Sequence, residues 1–156
     1  MGLDMWLTIK PKSEDDFNDV AYWRKANQIH QWFVNNCANG DLDSTLNFVD
    51  VSFDDLRNLK QVCQDVIANS NLISGEVNNG YRFENGNKVS IKEPGKYIED
   101  SSYAKQNLPT MQGFFYGSTD YDQWYFRQLE STIEQIDNIL SDESLQDVQL
   151  SYVASW

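Results

Sequence analysis

The spacing of hydrophobic positions switches between a period of two and a period of 3.6 along the chain. Leu3, Met5, Leu7 and Ile9 alternate with Gly2, Asp4, Trp6 and Thr8, which predicts a half-buried strand ended by Pro11. A polar stretch over 13–19, with Glu14, Asp15, Asp16 and Asp19, predicts a solvated connector running into a helix N-terminus, where negative charge is favourable. From about 18 to 37 the period is 3.6. Trp23, Ala26, His30, Phe33 or Val34, and Cys37 share one stripe, widened by Tyr22, Ile29 and Trp32. So wide a stripe predicts a central, buried helix, stopped at Asn39-Gly40. Ser52 before Phe53-Asp54-Asp55 reads as an N-cap followed by first-turn acids, and Leu56, Leu59, Val66 and Ile67 predict a second helix over 53–69.

The stretch 77–98 contains Tyr81-Arg82-Phe83 and Lys88-Val89-Ser90-Ile91 on either side of an Asn85-Gly86 turn, the strongest short hairpin signal. Two strands this short are marginal alone, so 72–100 is expected to be an insertion or flap on a single domain spanning 1–156. An aromatic loop or short strand over 108–119, bounded by glycines, follows. Thr119 is the expected N-cap of a third helix, with Asp120 and Asp122 in its first turn and Tyr121 or Tyr125, Leu129, Ile133, Ile136 and Leu140 on its apolar stripe to about 141. The tail alternates again over 148–154 and is expected to pair with the first strand. The predicted fold is α+β: three main helices on a small antiparallel sheet made by the N- and C-terminal strands, with the hairpin added.

Composition sharpens this picture. At 156 residues and 13% aromatics the chain can bury a real core, which separates it from disordered acidic chains. Its formal charge is −12, from 24 acids against 12 bases, which argues against direct phosphate-backbone binding to nucleic acid. No apolar run is long enough to span a membrane, and the N-terminal stretch lacks the basic and apolar regions of a signal peptide. The two cysteines are therefore expected to be reduced.

Candidate chemistries are few. His30 is the one histidine, two helical turns from Cys37, or about 10 Å at 1.5 Å per residue, beyond hydrogen-bond reach for a thiolate–imidazole pair. Asp41-x-Asp43 resembles the start of a calcium loop, but Leu46 and Ser52 stand where that loop needs Gly and Glu. No zinc ligand set, Gly-x-Ser-x-Gly elbow or Walker lysine occurs, so no cofactor is expected. The acids are more informative. Glu130, Glu134 and Asp137 recur at helical spacing, and Asp142 and Glu143 extend the run. Such a field serves solubility or engages a basic partner.

Three stretches carry a resemblance: Met1-Gly2-Leu3-Asp4-Met5, then 20–34 (VAYWRKANQIHQWFV), then 113–125 (GFFYGSTDYDQWY). Together with the aromatic ending 151–156 they resemble a family of small uncharacterised bacteriophage and prophage proteins. Members are sometimes labelled as a glycolytic kinase, a label that no phosphate loop here supports. The resemblance implies a phage origin and cytoplasmic action in a bacterium. By association it implies an anti-CRISPR-like counter-defence inhibitor, and the acidic run adds the expectation that it binds a basic, nucleic-acid-binding host protein through Glu130, Glu134, Asp137, Asp142 and Glu143. The alternative is a nucleotide-signal sponge that stacks Tyr116, Tyr121 and Trp124 on a base. Asp4, Arg24, Lys25, His30, Tyr116, Asp120, Tyr121, Asp122 and Trp124 could line a pocket where the first strand, first helix and aromatic loop meet.

Overall fold

A computed structural model of the chain describes residues 2–10, 18–42 and 47–156. The N-terminal alternation becomes β1 (Asp4–Ile9), and the tail becomes β6 (Leu150–Ser155). They pair antiparallel with Asp4 opposite Ser155 and Ile9 opposite Leu150, the closure expected from their unpartnered patterns. Two further strands, β2 (Asn18–Arg24) and β3 (Val49–Val51), complete a four-stranded sheet in the order β2-β1-β6-β3. β6 lies inside the sheet and is buried from Leu150 through Ala154.

β2 corrects the helix expected over 18–37. Within it Ala21 and Trp23 are buried while Tyr22 and Arg24 are exposed, a period of two in a run of β-forming residues. Trp23 matched the helical stripe because it stands three and seven residues before Ala26 and His30, while its spacing of two from the buried Ala21 is that of a strand. Lys25, at φ 55°, breaks the chain between strand and helix, and α1 spans only Asn27–Cys37. Asn18 and Asp19 therefore belong to a strand, while the rest of the acidic connector, with Glu14, Asp15 and Asp16, lies outside the described residues, as do Asp43 and Leu46 of the calcium-loop comparison.

The width of the stripe on α1 has its physical reason in burial. Asn27 through His30 and Trp32 through Val34 are all enclosed. Phe33 stacks on Tyr152 of β6 at 4.2 Å and meets Trp23 of β2 edge-on at 5.9 Å, so α1 is fixed to the sheet by rings.

α2 (Phe53–Ala68) opens as expected on Ser52, in a capping box: Asp55 N donates to Ser52 Oγ, and Ser52 N donates to Asp55 Oδ2. It packs against α4 (Gln123–Ser141) through Leu56, Leu59, Cys63 and Val66 on one side and Leu129, Ile136 and Ile139 on the other. Lys60 and Asp137 pair across the seam. Trp23 Nε1 donates to Thr132 Oγ1 at 2.9 Å, which ties α4 to β2.

The hairpin is longer than its turn signal suggested. β4 (Leu72–Glu84) and β5 (Asn87–Ile98) form a separate two-stranded sheet. Asn85 and Gly86 both have positive φ, as a tight two-residue hairpin turn requires. Val77 and Ile98 anchor its base, whereas Tyr81 and Phe83 near the tip are 58% and 76% exposed. A register shift between Asn78 and Tyr81, with Gly80 at φ 91°, makes a bulge where the ribbon leaves the body. A short helix, α3 (Ser102–Asn107), returns the chain to the aromatic loop. No helix among the described residues is long and apolar enough to cross a membrane.

Candidate functional site

The expected meeting of first strand, first helix and aromatic loop exists, and Asn27 makes it. This first residue of α1 is buried, and both ends of its amide are used. Nδ2 donates to the carbonyls of Tyr116 (3.1 Å) and Ser118 (2.9 Å), and Oδ1 accepts from Met111 N (2.9 Å). Leu3 N donates to the Phe115 carbonyl, and Lys25 N to that of Leu3. Gly117 sits at φ 93°, and a Cβ there would stand 2.9 Å from Lys25 Cβ and 3.2 Å from its carbonyl oxygen. Only glycine lets these two backbones, both left-handed at this point, lie against each other.

The loop then enters α4 through Asp122, which is the N-cap in place of the expected Thr119. Asp120 and Asp122 therefore precede the helix. The displacement has a local cause: Ile98 N donates to the Tyr121 carbonyl, and a β-bridge joins Tyr97 to Asp122, so 121–122 are held extended against β5. Asp122 Oδ1 accepts from Trp124 N (3.0 Å) and Tyr125 N (3.2 Å). The residue is 4% exposed, and its Oδ2 has no hydrogen-bond partner. Burial pushes this carboxyl above its usual value, against the opposing pull of the two N–H donors.

Around Asp122 are two clefts. One, of about 300 Å³, lies between the hairpin bulge, the loop and the first turns of α4, and includes Lys25, Asp120, Trp124 and Gln128 in its lining. The other, of about 450 Å³, is lined by Lys105, Tyr121 and the hairpin base. Asn78 belongs to both, and its Nδ2 donates to Asp120 Oδ2 at 2.9 Å. A larger open groove of about 890 Å³ follows the hairpin base along α4, past Phe126, Arg127 and Glu130.

The other expected pocket residues go elsewhere. Asp4 and Arg24 face each other across β1 and β2, and the Tyr22 hydroxyl donates to Asp4 at 2.5 Å. His30 is 1% exposed, with Nδ1 2.5 Å from the Tyr152 hydroxyl and the rings of Tyr116 and Trp156 packed edge-on against it. Burial lowers its pKa to about 4, so it is a neutral core imidazole at pH 7. Tyr116 is buried with it. Tyr121 is half-buried, its hydroxyl accepting from Thr110 N. Of the three rings proposed to stack on a base, Trp124 lines the smaller cleft, Tyr121 the other, and Tyr116 neither. Cys37 and Cys63 are free thiols with pKa values raised to about 12, chiefly by burial. No three His, Cys, Asp or Glu side chains among the described residues gather as a metal site.

The acidic run sorts in the same way. Glu130, Glu134 and Glu143 are exposed, Asp137 is paired with Lys60, and Asp142 caps a 3-10 turn (Glu143–Leu145) by accepting from Ser144 N and Oγ. The sequence pattern does not reveal Asn27, Asn78 or Gln128. Asn27 stands just ahead of the buried stripe and could have been suspected as a helix-start residue. Asn78 reaches Asp120 through a bulge that carries no sequence signal. Comparison with protein-family models, with curated proteins and with solved structures finds no match for this chain.

Proposed function

We propose that this protein is a phage-encoded, non-enzymatic inhibitor of the counter-defence, anti-CRISPR-like kind. In this reading its acidic surface occupies the nucleic-acid site of a basic host protein in the bacterial cytoplasm. One observation carries it: the outward face of α4. Residues 123–147, α4 and the turn that follows it, hold six exposed acids against the single base Arg127, a net of −5 in 25 residues of a chain whose total is −12. The buried stripe Tyr125, Leu129, Thr132, Ile136 and Ile139 turns Glu130 and Glu134 to solvent. A rigid helix presenting carboxylates at intervals of about one 5.4 Å turn offers a basic groove a line of negative charge.

The nucleotide-sponge reading ranks below it. The positive end of α4 is filled by Asp122 Oδ1, and Tyr116 is buried. A thermal shift with cyclic nucleotides would revive that reading.

The test is capture of the partner from host lysate by the tagged chain, with and without nuclease. A basic protein captured better after nuclease, and lost with the triple variant Glu130→Lys, Glu134→Lys, Glu143→Lys, is the expected result. Asp137 and Asp142 are left intact because their structural roles would confuse the reading. Unchanged capture by the triple variant overturns the proposal.

A further inference from the structure

We propose that the hairpin beyond its bulge is a docking surface for a second copy of this chain, received on the acidic face of α4. The register of β4 and β5 sorts the ribbon into two unlike faces. Tyr81 stands opposite Ser90, Phe83 opposite Lys88 and Asn78 opposite Lys92, so both rings and both lysines share one face. Lys88 Nζ, 3.8 Å above the Tyr81 ring, lies where that register puts it. Arg82 and Glu84 occupy the other face, ion-paired to each other at 2.9 Å. The first face therefore holds two exposed aromatics and two lysines with no acid of the ribbon among them. Neither lysine enters an ion pair among the described residues.

The chain itself holds the complement. Glu130 and Glu134 are exposed on α4 and enter no ion pair among the described residues. The open groove of about 890 Å³ beside Glu130 includes Leu72, Pro94 and Phe126 in its lining, an apolar floor for a ring. Other occupants fit less well. A single nucleic-acid strand would also stack on such rings, but a body of −12 repels a polyanion and two lysines release few counterions. The basic host protein of the inhibitor reading would be repelled by the same lysines. At about 0.15 M salt, charges more than about 8 Å apart are screened, so the contact pairs outweigh repulsion between two acidic bodies. Each copy carries both surfaces, so a two-fold axis satisfies ribbon and groove twice. Four rings of about 150–250 Å² apiece bring the contact only to the low end of specific interfaces, roughly 1,200 Å², so the dimer separates on dilution. The dimer does not rest on the inhibitor reading; it covers the face that reading assigns to the host protein.

The experiment is sedimentation velocity of the full chain over a dilution series from micromolar to millimolar. A mass that climbs from one chain toward two with concentration is the expected result. Lys88→Glu with Lys92→Glu, and separately Glu130→Lys with Glu134→Lys, should each weaken self-association by about tenfold or more. All four positions are exposed, so both variants should melt like the wild type. Mixed in equal amounts, the two variants should dimerise again, because each ribbon then meets a groove of opposite charge. A wild type that stays monomeric throughout overturns the docking. Self-association that both charge variants leave unchanged overturns it too, as does a mixture that stays monomeric. A labelled oligothymidylate that binds the monomeric wild type and not the Lys88→Glu, Lys92→Glu variant gives the ribbon to nucleic acid instead. Capture from lysate that fails while the charge-swapped mixture dimerises ends the inhibitor reading and leaves the docking standing.

Discussion

His30 and Asp122 are both buried and titratable, and the fold treats them in opposite ways. His30 is neutral, hydrogen-bonded to Tyr152 and enclosed by rings on three sides. Asp122 uses one oxygen to start α4 and leaves the other without a donor beside two clefts. A satisfied polar pair inside a core stabilises one arrangement of it. A half-satisfied buried carboxyl instead keeps its proton to higher pH than a free one. Burial alone therefore does not fix what a titratable group contributes to stability. The balance of donors and acceptors around it does.

The largest effects should come from breaking the satisfied member. Tyr152→Ala removes the stack on Phe33 and the partner of His30 together, and should cost about 3–5 kcal/mol in chemical denaturation. Tyr152→Phe keeps the ring and orphans the imidazole, which should cost about 1–3 kcal/mol. A loss below about 0.5 kcal/mol in the second variant would show that His30 finds another partner.

Acid should separate the two groups by sign. His30 falls from 6.5 to about 4 on folding, so between those values the unfolded chain holds more protons than the native one. This contribution to stability is complete above pH 6.5 and disappears as pH falls toward 4. Its full size is about 3 kcal/mol at 1.36 kcal/mol per pH unit. Asp122 is raised from 3.8, so the native state is the better proton binder, and its contribution falls as pH rises through the folded value. Removing it in Asp122→Asn should make the gain in stability from pH 4 to 6.5 steeper than in the wild type. An unchanged slope would show that Asp122 is not perturbed.

At pH 7 the two carboxylate replacements should part company. Asp122→Asn keeps a cap and removes the charge from a carboxyl that burial already disfavours, so its stability should equal or exceed that of the wild type. Asp122→Ala loses the cap and should cost about 1 kcal/mol. Equal melting of the two variants would mean that the cap contributes nothing to α4.

Much of this fold can be read from the chain, and the exceptions have physical causes. The pairing of β1 with β6, the capped start of α2 and the Asn85-Gly86 turn follow from local pattern and turn chemistry. β2 was hidden because Trp23 fits both periods, and the break at Lys25 is a backbone conformation that no composition rule assigns to lysine. β3, with three residues, is too short to show a period. The site was half legible. Asp120, Asp122 and Trp124 were singled out, but the clamp by Asn27 and the approach of Asn78 depend on pairings across 84 to 91 and 42 residues. His30 lay on an apolar stripe, and its neighbours Tyr152 and Trp156 come from the other end of the chain.

The smallest expected effect on stability is at the hairpin tip, and it sharpens the comparison from the opposite side. Phe83 is 76% exposed and Tyr81 58%, with Lys88 Nζ 3.8 Å above the Tyr81 ring. Rings that bury little area contribute little to folding, so Phe83→Ser should shift stability by no more than about 0.5 kcal/mol. The residues 78–92 also hold Arg82, Lys88 and Lys92 against Glu84, a net +2 on a chain of −12. The ribbon beyond the bulge therefore differs in sign and in surface from the acidic face of α4. If the hairpin merely decorates the body, Phe83→Ser will leave both melting and partner capture unchanged. Unchanged melting with reduced capture would make the ribbon a second point of contact. A loss of more than about 1 kcal/mol would show that Phe83 packs against something in the folded chain, and the contrast between anchored base and exposed tip would be wrong.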